Sequence, residues 1–324
     1  MRARRSLAQC NLGSHAAGIA YATAATVETE LDAQQSHAKA AFWMACSIAC
    51  FVLMSIVGRT LTAELDVFQV MEMRSVVGFF LLLPLVFAAG GLKAMRTQRP
   101  VLHVVRNVAH YGGQFAWFVA LTMIPLAELV SIEFTMPFWT AVLAVIFLGE
   151  KMNARKLGAI ALGFAGVAVI VRPSLSGMET GHLVMLVGAV GFGISVVTVK
   201  LLTRTDSVVR IIFWMLIIQS VIGLVPAVMV WKTPAVELWP AIVAIAFTGA
   251  FSHYCLARAL VHGEATVVMP MDFLRLPAMA IVGWLVYSER LDAYTVVGAL
   301  LILSGNLLTL RPRATAEAQI KYGQ

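Results

Sequence analysis

The stretch from Pro137 to Pro173, PFWTAVLAVIFLGEKMNARKLGAIALGFAGVAVIVRP, returns in altered form 139 residues further on. In the first copy an apolar run ends at Gly149-Glu150-Lys151, a polar hinge follows, and a glycine-laced apolar run closes on Arg172-Pro173. In the second, Trp284 to Tyr287 runs into Ser288-Glu289-Arg290, then Gly298, Gly305 and Arg311-Pro312. At that offset Glu150 falls on Glu289, Gly166 on Gly305 and Arg172 on Arg311, with a slip of one residue near Gly158 and Gly298. Upstream, Phe115 falls on Tyr254, Ala120-Leu121 on Ala259-Leu260, and Glu133-Phe134 on Asp272-Phe273. Chance supplies one such pairing but not the series, so the chain is an internal duplication. A period of about 140 residues means two similar halves rather than a solenoid of short repeats.

The halves are built for lipid. Hydrophobic residues make up 60% of the chain and charged residues 13%, against roughly 25% charged in soluble domains. Apolar runs long enough to cross a bilayer core of about 20 helical residues recur along the chain. They predict an all-α polytopic membrane protein with ten transmembrane helices, near 40–58, 67–90, 101–123, 126–148, 155–172, 181–202, 208–231, 239–261, 264–287 and 293–311. The halves become residues 39–173 and 174–312, with five helices each, between tails 1–38 and 313–324. Five is odd, so the second half inserts upside down relative to the first, as in transporters whose substrate site lies where inverted repeats meet. With the N-terminus inside, the cytoplasmic segments hold sixteen Lys and Arg and the opposite side four: Arg59, Arg172, Lys232 and Arg290. By the positive-inside rule both termini are cytoplasmic, in a plasma membrane or, for a bacterium, the inner membrane. Met1 to Arg5 has the charge of a signal-peptide n-region, but no apolar run follows, so the first tail reads as a disordered cytoplasmic extension.

Several function classes drop out. The net charge of +7 is accounted for by topology and does not call for nucleic acid. Cys46 and Cys50 sit i,i+4 on one apolar helix without the histidine or carboxylate spacing of a metal site. No G-x-x-x-x-G-K loop is present to drive transport with a nucleotide, and no paired-Asp, HExxH or Ser/His arrangement points to an intramembrane enzyme. No cofactor is expected. The expected partners are the lipid bilayer and a small-molecule substrate, with protons and a second copy in a homodimer left open.

Ionisable residues inside spans are costly and mark pathways. Arg74, Arg106, Glu133, Asp272 and Arg275 stand well inside. Glu133 and Asp272 occupy equivalent repeat positions, and Arg275 lies at i,i+3 from Asp272 on the same face. Two roles stay open for these carboxylates: structural ion pairs with the arginines, or binding of substrate polar groups or a proton. Arg106, His110 and Gln114 step i, i+4, i+8 along the third span, with Asn107 beside them. A polar stripe on an apolar helix faces a water-filled cavity rather than lipid. Trp117, three residues on, is placed to cap Gln114 with an aromatic wall. His253 and Tyr254 on the eighth span are weaker candidates. The small-residue ladders Ala109/Gly113, Gly112/Ala116/Ala120 and Ala189/Gly193 suit close helix packing.

The segments WFVALTMIPLAELVSIEFTMPFWTAVLAVIFLGEKM and YCLARALVHGEATVVMPMDFLRLPAMAIVGWLVYSERL carry a paired signature. An aromatic and Ala-Leu precede a helix break, an acidic helix ends in Gly/Ser-Glu-Lys/Arg, and a glycine-rich helix ends in Arg-Pro. This resembles the drug/metabolite transporter superfamily, and more narrowly its EamA-type ten-helix transporters, over about residues 40–312. The resemblance implies a gradient-driven carrier working by alternating access. Charges of both signs suit export of an amino-acid-like compound. The aromatics Trp117, Tyr111 and Phe115 suit the alternative, uptake of a cofactor-like solute such as riboflavin or an adenosyl compound. A receptor or scaffold, the reading from another class, would need an output domain.

Overall fold

The computed structural model describes residues 38–148, 154–171, 179–262, 268 and 271–310. The terminal tails, the Gly149-Glu150-Lys151 hinge and the Arg172-Pro173 and Arg311-Pro312 ends lie outside the described residues. Among the described residues every regular element is helical. The helices are α1 Ala38–Glu64, α2 Val67–Ala88, α3 Pro100–Leu121, α4 Leu126–Glu133, α5 Met136–Leu148 and α6 Ala154–Val171. They continue with α7 Thr180–Leu202, α8 Val208–Met229, α9 Trp239–His262, α10 Arg275–Tyr287 and α11 Ala293–Leu310. Six segments are long and apolar enough to cross a membrane: α1, α2, Leu126–Leu143 across the α4–α5 break, α7, α8 and Val236–Ala259. Helices α6, α10 and α11 contribute shorter apolar stretches. α3 is outside both groups because His103, Arg106, Asn107, His110 and Gln114 interrupt its apolar surface.

Local chemistry sets the boundaries. The Asp66 carboxylate accepts from the Phe68 amide at 2.9 Å and caps α2. Gly90 and Gly91, at φ 103° and 73°, end the chain's run out of that helix. Pro100 opens α3, where its missing N–H costs nothing. Pro137 cannot donate to the Glu133 carbonyl and Pro277 cannot donate to that of Phe273, so the chain breaks at Phe134-Thr135 and again at Phe273-Leu274. Past the first break the Phe138 and Trp139 amides both turn to the Thr135 carbonyl, and the Phe134 carbonyl accepts instead from Asn306 Nδ2 of α11 at 3.0 Å, as a backbone group withdrawn from water requires. The two breaks meet, with Phe134 and Phe273 edge to face at 5.4 Å between centroids.

Helices α2 and α8, α3 and α7, and α6 and α11 form the closest pairs, with α9 against α2, α5 against α7, and α10 against α4. The α6–α11 crossing is reciprocal. A Cβ on Gly166 would stand 2.5 Å from the Gly298 carbonyl, and one on Gly298 would stand 2.5 Å from the Gly166 carbonyl. Two turns further along, Gly305 faces the Ala159 carbonyl. Gly113 and Gly188 let α3 and α7 approach in the same way, and Gly193 lies against Trp139. Gly112 departs from its expected ladder: it is exposed and nothing stands within 4 Å of its missing side chain.

The protein is sorted inside out. Phe80, Phe87, Val221, Val225, Met229, Trp284 and Leu285 are exposed, while Glu72, Arg74, Arg106, Glu133 and Arg275 are buried. At one end of the bundle, Arg59 of α1 pairs with Glu289, reaches the carbonyls of Leu121 and Ile124 at 2.9 Å each, and lies 4.7 Å over the Tyr287 ring. Glu289 also accepts from the Leu126 amide at 2.9 Å. Ser288, in left-handed conformation at φ 55°, turns the chain after α10 so that Glu289 reaches this knot. At the other end Asp206 gathers Thr97, His103 and Arg210 at 2.7–2.9 Å.

Candidate functional site

The expected site residues fall into two clusters joined by α3, buried except for the half-buried Asp272. In the first, Arg275 Nη1 donates to Glu133 Oε1 at 2.8 Å, and its Nη2 lies 3.5 Å from Asp272 Oδ2. The repeat-related carboxylates thus share one arginine, directly at the two helix breaks. Trp117 Nε1 donates to the other Glu133 oxygen at 2.8 Å. The guanidinium lies between two rings, 4.1 Å from the centroid of Phe51 and 4.8 Å from that of Phe134. Planar, delocalised and weakly hydrated, Arg suits a place between aromatic faces that a lysine does not.

The second cluster lies toward the α2–α3–α8–α9 side. Arg106 Nη1 donates to Asn107 Oδ1 at 2.6 Å, and Asn107 Nδ2 donates to the His103 carbonyl at 2.8 Å. His110 Nδ1 is 2.8 Å from Gln219 Nε2 of α8, and its ring is 6.0 Å from that of His253. Arg74 rests on the bare backbone of Gly249 in α9 and lies within electrostatic reach of Arg106, His110 and His253.

Gln114 sits on α3 between the clusters, buried, with its Oε1 unpartnered. Trp117 does not cap it; the indole N–H turns to Glu133 instead, because an ionised or hydrogen-bonded carboxyl in a dry interior is the stronger acceptor. The stripe Arg106–His110–Gln114–Trp117 is therefore one wall linking both clusters.

The same family model, described as the EamA-like transporter family, matches residues 38–172 and again 179–311. The chain belongs to the EamA-like transporter family. It is thus a multi-pass membrane protein with a transport function, from a family of transporters and not of enzymes. Among similar proteins, the S-adenosylmethionine uptake transporter of Rickettsia prowazekii is 25% identical over 86% of this chain and 95% of its own. The riboflavin transporter of Rhizobium johnstonii is 30% identical over 88% and 95%. The pseudopaline exporter CntI of Pseudomonas aeruginosa is 27% identical over 78% and 89%. A solved crystal structure superposes with a TM-score of 0.60 at 15% identity, covering 84% of this chain and 96% of the other, which speaks to the fold alone.

Within this EamA fold the sequence expectations missed several groups. Glu72 of α2 and Arg258 of α9 are further charges inside helices. Ser220 donates to Glu72 Oε1, while Glu72 Oε2 and the neighbouring Tyr111 hydroxyl find no partner among the described residues. The rule that singled out Arg74 applies equally to Glu72, two residues earlier. Gln219 and Ser220 had a weaker signal, as neutral polar residues in one of the most apolar helices.

Proposed function

We propose that this protein is a gradient-driven carrier that moves a small polar or amphipathic metabolite by alternating access, with ten membrane spans arranged as two inverted five-helix repeats and both termini cytoplasmic. The observation that carries the reading is the meeting of Glu133 and Asp272 at Arg275. Two residues equivalent by repeat, each beside a helix break, share one cation in the interior. Broken helices that meet between repeats are where inverted-repeat transporters hold their substrates. The reciprocal α6–α11 crossing and the family match to each half support the same arrangement.

The favoured cargo is amino-acid-like and the favoured direction export, in a bacterial inner membrane. Charges of both signs along the α3 wall support a zwitterionic or anionic substrate, and the pseudopaline exporter relative supports the direction. Arg74, Arg106, Asn107, His110, Gln114, Trp117, Glu133, Asp272 and Arg275 line the path. A second reading, uptake of a cofactor-like solute, draws on the Phe51, Trp117 and Phe134 aromatics and on the riboflavin and S-adenosylmethionine relatives.

Glu133 and Asp272 also carry the coupling proton: each is wetted in the conformation open to its own side and dried in the other, and burial favours a neutral carboxyl. Proteoliposomes test this with Glu133→Gln and Asp272→Asn. Both variants are expected to lose pH-driven flux and keep equal-concentration substrate exchange. Full pH-driven flux in both would remove the proton role. Loss of exchange as well would make the carboxylates substrate ligands or structural partners.

A further inference from the structure

Arg74 and Arg106 are 95% buried in mid-helix, and among the described residues neither meets a carboxylate. Their surroundings make this unusual. Glu133 and Asp272 are both committed to Arg275. Glu72 is two residues from Arg74, a spacing that puts side chains on different helix faces, and it turns toward Ser220 and Tyr111. Among the described residues the two guanidiniums make a single hydrogen bond between them, Arg106 to Asn107, and the Nε of each has no partner. An arginine stays charged in a protein, and a guanidinium brings five N–H donors in a fixed fork. Arg74 rests on Gly249, one turn before His253 on α9, and the His253 ring lies 6.0 Å from that of His110, one turn after Arg106 on α3, so the two like charges approach the same four-helix interior. A dry interior tolerates a pair of this kind when something anionic enters between them.

We propose that Arg74 and Arg106 form an oxyanion subsite, which holds a carboxylate of the transported molecule by paired guanidinium hydrogen bonds. It rests on the transport reading above and adds the chemical class of one end of the cargo. Guanidinium forks match carboxylate and phosphate oxygens bidentately. His110, His253 and Gln219 nearby bring N–H groups and no carboxylate, so they add donors to the shell without a competing anion. Gly249 is the residue that admits the Arg74 fork, since a Cβ there would collide with Arg74 Nε. The α3 wall then runs from this subsite past Gln114 to Glu133, so one extended solute spans a cationic end and an acidic, aromatic end.

The test uses purified full-length protein in nanodiscs at constant chloride, read by thermal shift during titration with glutamate, citrate and inorganic phosphate. Wild type is expected to be stabilised by at least one of these anions. Arg74→Gln and Arg106→Gln should each weaken the apparent affinity about 10- to 100-fold, and Arg106→Lys, which keeps the charge but not the fork, should fall between. Without anions both glutamine variants should melt above wild type, because each removes a repelled, unpaired charge. Stabilisation by glutamate or citrate but not phosphate assigns the subsite to the cargo's carboxylate; stabilisation by phosphate as well assigns it to oxyanions generally. No stabilisation of wild type by any anion overturns the subsite, as does an unchanged affinity in both variants or a lowered melting temperature in both without anion. A parallel flux assay in proteoliposomes separates the two readings. Flux of neutral riboflavin with no anion binding leaves transport standing and removes the subsite. Anion binding in a protein that moves no solute does the reverse.

Discussion

Asp206 shows how one residue outside the membrane spans ties the bundle together. It lies between α7 and α8, yet receives hydrogen bonds from Thr97 before α3, from His103 in α3 and from Arg210 in α8. Burial pushes its carboxyl upward, but the bonds from Arg210, His103 and Thr97 outweigh that and hold it below the usual aspartate range. A carboxylate whose folded value is depressed contributes stability that is fully present above its unfolded value and is lost as pH falls through the folded one. Asp206→Asn should therefore lower the melting temperature at neutral pH, by the equivalent of about 1.5–3 kcal/mol. The gap to wild type should close below about pH 4. Thermal unfolding in detergent across pH checks this, and a gap that persists at low pH would mean lost packing rather than lost charge. Nothing in the sequence pairs His103 with Asp206, 103 residues away. By contrast Glu133, Asp272 and Arg275 were legible, because charge inside an apolar run is conspicuous wherever its partner stands.

At the scale of elements, helices in lipid gain nothing from hydrophobic burial against each other and rely on close backbone approach. The α6–α11 crossing is the tightest use of that here, with Gly166 and Gly298 each against the other's carbonyl and against Ile302 and Ile170. Gly166→Ala or Gly298→Ala forces a methyl into occupied space and should destabilise by about 1–3 kcal/mol. Gly112→Ala on the exposed face of α3 meets nothing and should be neutral, or stabilising by up to about 1 kcal/mol through helix propensity. Melting temperatures of the three variants, measured together, decide it; equal losses in all three would deny the crossing its role. The small-residue spacing in the sequence included Gly112 and Gly113 alike. Only the packed helices separate a glycine that admits a neighbour from one that faces outward.

For the whole molecule, orientation governs which way any cargo moves. The sixteen-to-four bias in Lys and Arg predicts that the α7–α8 connection is cytoplasmic and the α8–α9 connection external. In a cysteine-free background, Arg204→Cys should react with an impermeant maleimide only from the cytoplasmic side, and Thr233→Cys only from outside. Either residue labelled from the wrong side breaks the five-plus-five arrangement. The end knot of Arg59, Glu289 and the Leu126 amide draws together the end of α1, the α3–α4 connection and the turn after α10.

What the sequence determined by itself is the membrane class, the family, the duplication and the in-span charges. Each follows from properties local to a run of residues: the transfer free energy of a side chain into lipid, the length a helix needs to cross it, and recurrence at one offset. The breaks at Phe134-Thr135 and Phe273-Leu274 are not read from the sequence, which runs 126–148 and 264–287 as single spans, although Pro137 and Pro277 each withhold a local N–H there. Tertiary structure alone decided the partners. Arg275 chose Glu133 and Asp272 together, Trp117 turned from Gln114 to Glu133, Glu72 went to Ser220, and Arg74 and Arg106 meet no carboxylate among the described residues. Those choices depend on which helix faces oppose, and that is set by the packing of α2 against α8 and α9, of α3 against α8, and of α10 against α4, elements far apart in the chain.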